Sequence, residues 1–494
     1  MYYLGLDIGS SSIKAALVEI ATGKSLGVVQ EPETEMGMLA LKNGWAEQDP
    51  DEWWKNSCRA IARLKSEYSI SKKDIKGIGI AYQMHGLVLV NVEGQPLRKS
   101  IIWCDSRAVE IGNRAFSDLG EIKCAEHLLN SPANFTASKL KWVKDNEPDI
   151  YQKIHKFMLP GDFIAFKFSN EINTTIPGIS EGILWDFKDD SIADLLLEHY
   201  GIDMALVPDI VGTFGVQSIV DEKGGAESGL AIGTPILYRA GDQPNNALSL
   251  NVLNPGEVAG TGGTSGVVYA VTDSTSVKES SRVNNFAHVN YEIGGAPRIG
   301  KLLCINGAGI QYRWLLNNIA VSSYEEMNKL ASKVTIGSED VCILPFGNGA
   351  ERILDNKNIG SRILNINLNN HSKAHICRAS LEGIAFSFVY GMEILKSDGI
   401  KIEVMRVGND NLFRSTIFAN TIATLMATEI EVYNTTGAIG AARAASLHQG
   451  DFDKFGRNIM EHDYVMTFTP ASEKKPYLKA YENWKRELEL ILNN

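Results

Sequence analysis

The chain has 494 residues, 44% of them hydrophobic and 22% charged, with a formal net charge of -11. A single hydrophobic core stops growing at roughly 250–300 residues, so two domains of similar size are expected. The acidic balance without clustered Lys and Arg excludes nucleic acid as a main partner, and the lack of any apolar run near the roughly 18 residues that cross a bilayer excludes a membrane span.

Residues 2–6 and 13–18 predict two short strands joined by Asp7-Ile8-Gly9-Ser10-Ser11-Ser12, a small polar hairpin turn. Such a turn lets backbone N–H groups approach phosphate oxygens, and its hydroxyls add donors. Taken alone, it reads better as a plain tight turn. Asp7 ends a buried-type strand, where it can hold Mg²⁺ directly or through water, or simply cap an Asx turn. A third strand is expected at 27–30, and Gln48-Asp49-Pro50-Asp51 opens a helix that runs to about Tyr68. Residues 75–81 predict a buried strand ending in Tyr82-Gln83-Met84-His85-Gly86. Polar groups at such an end face a ligand crevice, although a lone His is more often structural. A strand at 87–90 follows. Ile101-Ile102 then leads into Trp103-Cys104-Asp105-Ser106-Arg107. Trp offers a flat wall for the C–H face of a sugar and Asp accepts from hydroxyls, unless the one packs and the other caps. Gly178-Ile179-Ser180-Glu181-Gly182 fits the G-x-S-x-G of esterases. No apolar strand leads into it and Pro177 precedes it, so it reads as a chance match in a loop.

Tyr238-Arg239-Ala240-Gly241 closes the first half, which places the domain boundary between residues 1–241 and 242–494. Asp242, followed by Gln243, sits at the junction. It either caps the helix opened by Asn245-Asn246-Ala247-Leu248 or serves as a carboxylate base at the floor of a cleft. The second half repeats the opening of the first. Glu257-Val258-Ala259-Gly260 leads through Thr261-Gly262-Gly263-Thr264-Ser265-Gly266 into Val267-Val268-Tyr269-Ala270-Val271. Gly9 set against Gly262 puts Ser11 against Thr264 and Ser12 against Ser265, so a duplicated α/β fold with a phosphate-sized turn in each half is expected. Gly23-Lys24-Ser25 is no P-loop, because Val18 stands where the leading glycine belongs. Gly260-Thr261-Gly262 with Gly266 runs into a β-branched strand rather than the helix of a dinucleotide fingerprint. The six cysteines are scattered without a C-x-x-C pair, and the N-terminus lacks a signal-peptide pattern, which together suit a reducing cytoplasm.

In their order and spacing, these segments resemble the FGGY carbohydrate kinases over nearly the whole chain, and within that family the xylulose kinase branch. The likeness rests on Gly5-Leu6-Asp7-Ile8-Gly9-Ser10-Ser11-Ser12-Ile13-Lys14, Trp45-Ala46-Glu47-Gln48-Asp49-Pro50, Gln83-Met84-His85-Gly86 and Ile101-Ile102-Trp103-Cys104-Asp105-Ser106-Arg107. It continues through Ala240-Gly241-Asp242-Gln243, Gly263-Thr264-Ser265-Gly266, Leu344-Pro345-Phe346-Gly347, His375-Ile376-Cys377-Arg378-Ala379-Ser380-Leu381-Glu382-Gly383 and Gly437-Ala438-Ile439-Gly440-Ala441-Ala442.

The resemblance implies two actin-like (ribonuclease H-like) ATPase domains with a central cleft where ATP, Mg²⁺ and sugar meet. It implies Asp242 as the general base and Asp7 as the metal-side carboxylate. Ser10, Ser11 and Lys14 would serve the first phosphate loop, Gly263, Thr264 and Ser265 the second, and Gly408 and Asn409 the adenine. Met84, His85, Trp103, Asp105 and Gln243 would line the sugar site. Met84-His85 stands where glycerol kinases carry Arg-Glu, which implies a pentulose, D-xylulose, as the substrate. The chain departs from the family pattern at Asn409-Asp410-Asn411, Thr174-Thr175, Asn365 and Gln243-Pro244. A kinase for ribulose, fuculose, rhamnulose, gluconate or glycerol, an actin-like ATPase and a sugar-sensing pseudokinase are the alternatives. The expected partners are a ketose and MgATP, and a homodimer is permitted.

Overall fold

The structure, a computed structural model, describes residues 1–493. Strands β1 (Tyr2–Ile8) and β2 (Ile13–Glu19) form the expected hairpin, in register from Tyr2 opposite Glu19 to Ile8 opposite Ile13. β3 (Ser25–Glu31) adds antiparallel to β2. Helix α1 (Pro50–Glu67) then crosses over, and β4 (Ile75–Tyr82) returns parallel to β1. A parallel neighbour requires such a crossover, because a hairpin only reverses the chain. Asp49 caps α1 by accepting the Asp51 N–H at 3.0 Å, with Pro50 in the first turn, where its missing N–H costs nothing. The helix buries Trp53, Trp54, Ile61 and Leu64 in the core of this half. β5 (Phe214–Ile219) and β6 (Pro235–Gly241) complete a sheet of order β3-β2-β1-β4-β6-β5.

Helix α2 (Asp242–Ser249) leaves the end of β6 and leads to the second sheet. That sheet is built from β7 (Glu257–Gly262), β8 (Gly266–Thr272), β9 (Asn284–Ala287) and β10 (Ile299–Ile305). After the long helix α3 (Lys373–Ser397) come β11 (Val404–Gly408), β12 (Glu429–Tyr433), helix α4 (Gly437–Ala444) and β13 (Tyr464–Phe468). Its order is β9-β10-β8-β7-β11-β12-β13. Each sheet therefore has three antiparallel strands, a crossover, two further parallel strands and an antiparallel edge strand. The repeat seen around Gly9 and Gly262 extends to the strand order and directions of both sheets, as expected of a duplicated α/β fold, although the edge strand β5 precedes β6 in the chain whereas β13 follows β12. β9 is an addition of the second half alone.

Helices α2 and α4 join the two halves. α4 lies on β1, β2 and β4 of the first sheet and also packs against α2. The approach is close enough to forbid side chains. A Cβ on Gly5 would sit 1.9 Å from the Ala438 carbonyl oxygen, and one on Gly79 1.9 Å from that of Ala441. Tyr3, Ala16, Val18 and Leu237 of the first sheet bury their side chains against Ala438, Ile439, Ala442 and Ala445.

Residues 178–182, expected to be a loop, are mostly helical (Ile176–Glu181). Thr175 caps this helix by accepting the Gly178 N–H at 3.3 Å, and Pro177 lies in its first turn. The proline that counted towards a loop is thus a helix starter. Ser180 is buried and bonds the Pro177 carbonyl and the Ala287 N–H, so it is no esterase nucleophile. All six cysteines are free, and no helix among the described residues is long and apolar enough to cross a membrane.

Candidate active site

The first hairpin is fixed from outside. Gln48, just before α1, donates from Nε2 to the Ser10 carbonyl at 2.6 Å and accepts the Trp53 indole N–H at 3.1 Å. The Met36 N–H holds the Ser11 carbonyl at 2.8 Å, and the half-exposed Trp103 reaches Ser10 Oγ from its indole N–H at 3.4 Å. Lys14 stands directly across the ladder from Asp7. In the second hairpin, the Gly263 and Thr264 carbonyls accept the N–H groups of Gly309 and Ile310 at 3.1 and 2.9 Å. Ser265 completes that turn. The hydroxyls of both turns remain as donors for phosphate oxygens.

Asp7 and Asp242 meet between the hairpins. Asp242 is the first residue of α2 and its N-cap is Gly241, so the helix opens earlier than Asn245 and Asp242 does not cap it. Burial pushes its carboxyl up to about 7, and the neighbouring Asp7 charge adds to this, against hydrogen bonds from the Gln243 backbone and side chain. Burial also raises Asp7, with Lys14 opposing. Room for Asp7 is kept by Gly437, where a Cβ would lie 2.6 Å from its Oδ2. Asn245 ties α2 to the Gly437 carbonyl at 2.9 Å, and Asn246 ties it to Thr261 Oγ1 at 3.2 Å. Both of these bonds lie in the second half, while α2 itself leaves β6 and packs on β4 and β6 of the first sheet, so it touches both halves.

Mg²⁺ prefers few carboxylates, several waters and substrate phosphates over an all-protein cage. One partly buried carboxylate, Asp7, with Lys14 across the ladder and hydroxyl turns on either side, fits that preference. The one trio of His, Cys, Asp or Glu among the described residues that could hold an ion unaided, His127 with Asp186 and Asp189, lies elsewhere.

Met84 and His85 follow the end of β4 and are brought to the same place. A Cβ on Gly241 would meet Glu181 Oε2 at 2.3 Å and Met84 Cγ at 2.6 Å. His85 lies between the rings of Phe135 and Phe286, at centroid distances of 4.7 and 5.4 Å. Phe286 belongs to β9, so the strand added to the second half walls the Met84-His85 loop of the first. Burial and the Lys139 charge lower the His85 imidazole to about 3, so the ring is neutral.

Asp105 corrects the sequence reading. It is fully buried, and its oxygens bind the Arg107 guanidinium and the Ala46 N–H at 2.6–3.0 Å. Arg107 also pairs with Glu47 at 2.7 Å and stacks on Trp45. Both oxygens are engaged, so Asp105 holds the Trp103 loop against Trp45-Ala46-Glu47 and leaves nothing for a hydroxyl. Two buried residues near the site were missed, Lys139 and Glu181. Burial lowers Lys139 to about 7 and raises Glu181 well above the usual carboxyl value.

The proposed adenine loop follows β11. The Asn409 N–H bonds the Tyr433 carbonyl at 2.8 Å and its side chain bonds Asn434 at 2.9 Å. Asn411 takes a left-handed φ of 46° and Asn365 one of 62°. Asn tolerates this region better than other non-glycine residues, so both stand where glycine would otherwise be favoured. Asp410, raised by burial, also feels the Lys14 charge from the first hairpin.

Residues 2–249 match the N-terminal domain of the FGGY family of carbohydrate kinases, and residues 258–448 match its C-terminal domain. A xylulose kinase of Haemophilus influenzae is 27% identical, covering 98% of this chain and 99% of that protein. The crystal structure of a "xyloylose kinase" from Brucella ovis superposes with a TM-score of 0.87 at 25% identity over 99% of both chains. The glycerol kinase of Plasmodium falciparum with ADP gives 0.88 at 21% identity over 99% of this chain and 98% of that one, a likeness of fold.

Proposed function

The chain belongs to the FGGY family of carbohydrate kinases, and from that premise we propose that it phosphorylates D-xylulose to D-xylulose 5-phosphate with MgATP. The observation that carries the reading is Asp242, a buried carboxylate raised to about 7 at the start of the helix joining the two halves. A general base works best when its pKa lies near the working pH. Asp242 accepts the proton of the terminal sugar hydroxyl as its oxygen bonds to the γ-phosphorus and ADP leaves. The transition state of phosphoryl transfer is loose, so most of the acceleration comes from positioning and charge neutralisation. Ser10, Ser11 and Lys14 on one side, and Gly263, Thr264 and Ser265 on the other, take the phosphates. Gly408 and Asn409 carry the base. Mg²⁺, held through Asp7, would supply positive charge to the β and γ oxygens.

Met84, His85 and Gln243 orient the sugar, and Trp103 closes its mouth beside Ser10. With Nδ1 of the neutral His85 ring turned to a backbone carbonyl, Nε2 is left as a hydroxyl acceptor. The division near residue 241 and a cytoplasmic setting belong to the same reading.

The test is an ADP-release assay over pentuloses, hexuloses, gluconate and glycerol. D-xylulose is expected to give the highest kcat/KM and glycerol a poor one. A glycerol preference, or no turnover of any ketose, overturns the assignment.

A further inference from the structure

Three hydrogen-bonding groups hold His85. Its backbone φ is 61°, a left-handed conformation that a side chain-bearing residue keeps only where its surroundings enforce it. Its N–H donates to Glu181 Oε1 at 3.2 Å. Its ring Nδ1 lies 2.9 Å from the Glu181 carbonyl oxygen. A carbonyl only accepts, so the proton sits on Nδ1. Its own carbonyl accepts from Lys139 Nζ at 2.8 Å, and that ammonium also binds the Ile102 carbonyl at 3.0 Å, one residue before Trp103. The other Glu181 oxygen, Oε2, is buried without a partner, against Gly241 and Met84. Buried polar atoms are seldom left unpaired, because each loses its water for nothing.

We infer that Glu181 is the positioning residue of the sugar site, clamping His85 to the strand end from which Asp242 projects. The side chain touches the sugar-side loop with one oxygen and the Gly241 corner, beside Met84, with the other. Asp242, Asp162 and Lys139 face it, with Tyr82 and Tyr269 near enough to feel its charge. Burial and the two acids favour its neutral form, so glutamine is its isostere. The inference takes its ligand from the ketose reading, but the clamp itself can be read without turnover.

The experiment pairs ¹⁵N spectra of the histidine rings, assigned with a His85→Asn reference, with steady-state kinetics on Glu181→Gln, Glu181→Asp and Glu181→Ala. In the wild type and Glu181→Gln, the His85 ring should stay a neutral Nδ1–H imidazole across about pH 5 to 8, where a free histidine titrates. Glu181→Ala keeps the carbonyl that faces Nδ1 but frees the His85 N–H, so the loop should move the ring off that carbonyl, and the ring should then average its tautomers and titrate. The ketose KM should rise about ten-fold or more, as misplacement of a positioning group predicts, while the MgATP KM holds. Glu181→Asp, one methylene short, should fall between, and carries the same test if the alanine variant does not fold. An unchanged ring and ketose KM in both shortened variants would overturn the inference. So would equal rises in both KM values that track a loss of Tm. A fixed Nδ1–H ring in a wild-type protein that turns over no ketose would sink the ketose reading and leave the clamp standing.

Discussion

Asp242 is under opposite demands from stability and activity. Its folded pKa is raised from 3.8 to about 7. Between those values the folded chain binds the proton more tightly than the unfolded one, so stability is full below the lower value and falls as pH rises through the upper. The ionised base is therefore present only where the fold is penalised. Asp242→Asn should be more stable than the wild type near pH 8, by about 1 kcal/mol or more, and equal to it below about pH 4. Its kcat should fall roughly a hundred-fold. Wild-type kcat/KM should drop about ten-fold per pH unit below 7 as the base is protonated. Melting temperature and kcat on one preparation at both pH values check this, and a folded variant keeping more than about a tenth of kcat excludes Asp242 as the base. The positions of Asp7, Met84, His85 and Asp242 were legible in the sequence because each stands at or just past the end of a strand whose apolar run is plain. Asp105 was misread because sequence spacing cannot show that Arg107 turns back onto it. Lys139 was invisible among Lys139, Lys141 and Lys144 of one helix, where nothing local marks the one that points inward. Glu181 stood inside a motif whose serine took the attention.

Packing between elements depends most on helix α4 and its run Gly437-Ala438-Ile439-Gly440-Ala441-Ala442. Its small face lets the helix backbone lie on β1 and β4, where Gly5 and Gly79 give it room. A single methyl is expected to break this fit. Gly5→Ala should destabilise the protein by about 2 kcal/mol, in the range for overpacking a closed contact, since the obstructing atom is a backbone oxygen that cannot rotate away. MgATP affinity should weaken with it, because the same helix start leaves room for Asp7. Urea denaturation and MgATP titration of that variant decide the point; a wild-type midpoint would show that the strand and helix can part at no cost. The helix α1 was readable from Asp49 and Pro50, whose capping roles are local. The helix at Ile176–Glu181 was not, because Pro177 carries the same letter whether it starts a helix or breaks one.

Across the whole molecule, the duplication was readable from two turns alone, since each opens its sheet with the same hairpin. β9 had no counterpart in the first half and left no trace in the pattern, yet its Phe286 walls His85. With one small polar hairpin in each half proposed to take the phosphates, and Asp410 of the second half sensing Lys14 of the first, MgATP and sugar together should draw the halves inward and exclude water from the transfer. Small-angle scattering should give a smaller radius of gyration with ketose and a non-hydrolysable MgATP analogue together than with either alone; an unchanged radius rules out closure. The seat of α4 also bears on how the chain is made. On the ribosome, the first sheet is complete once Gly241 has emerged, but Tyr3, Ala16, Val18 and Leu237 have nothing to lie against until Ala438, Ile439, Ala442 and Ala445 follow. Through about two fifths of translation that face waits uncovered, and exposed apolar surface of this kind invites aggregation and chaperones. A premature stop before residue 437 would therefore release a nascent chain whose first sheet lacks its cover, rather than a working half-enzyme.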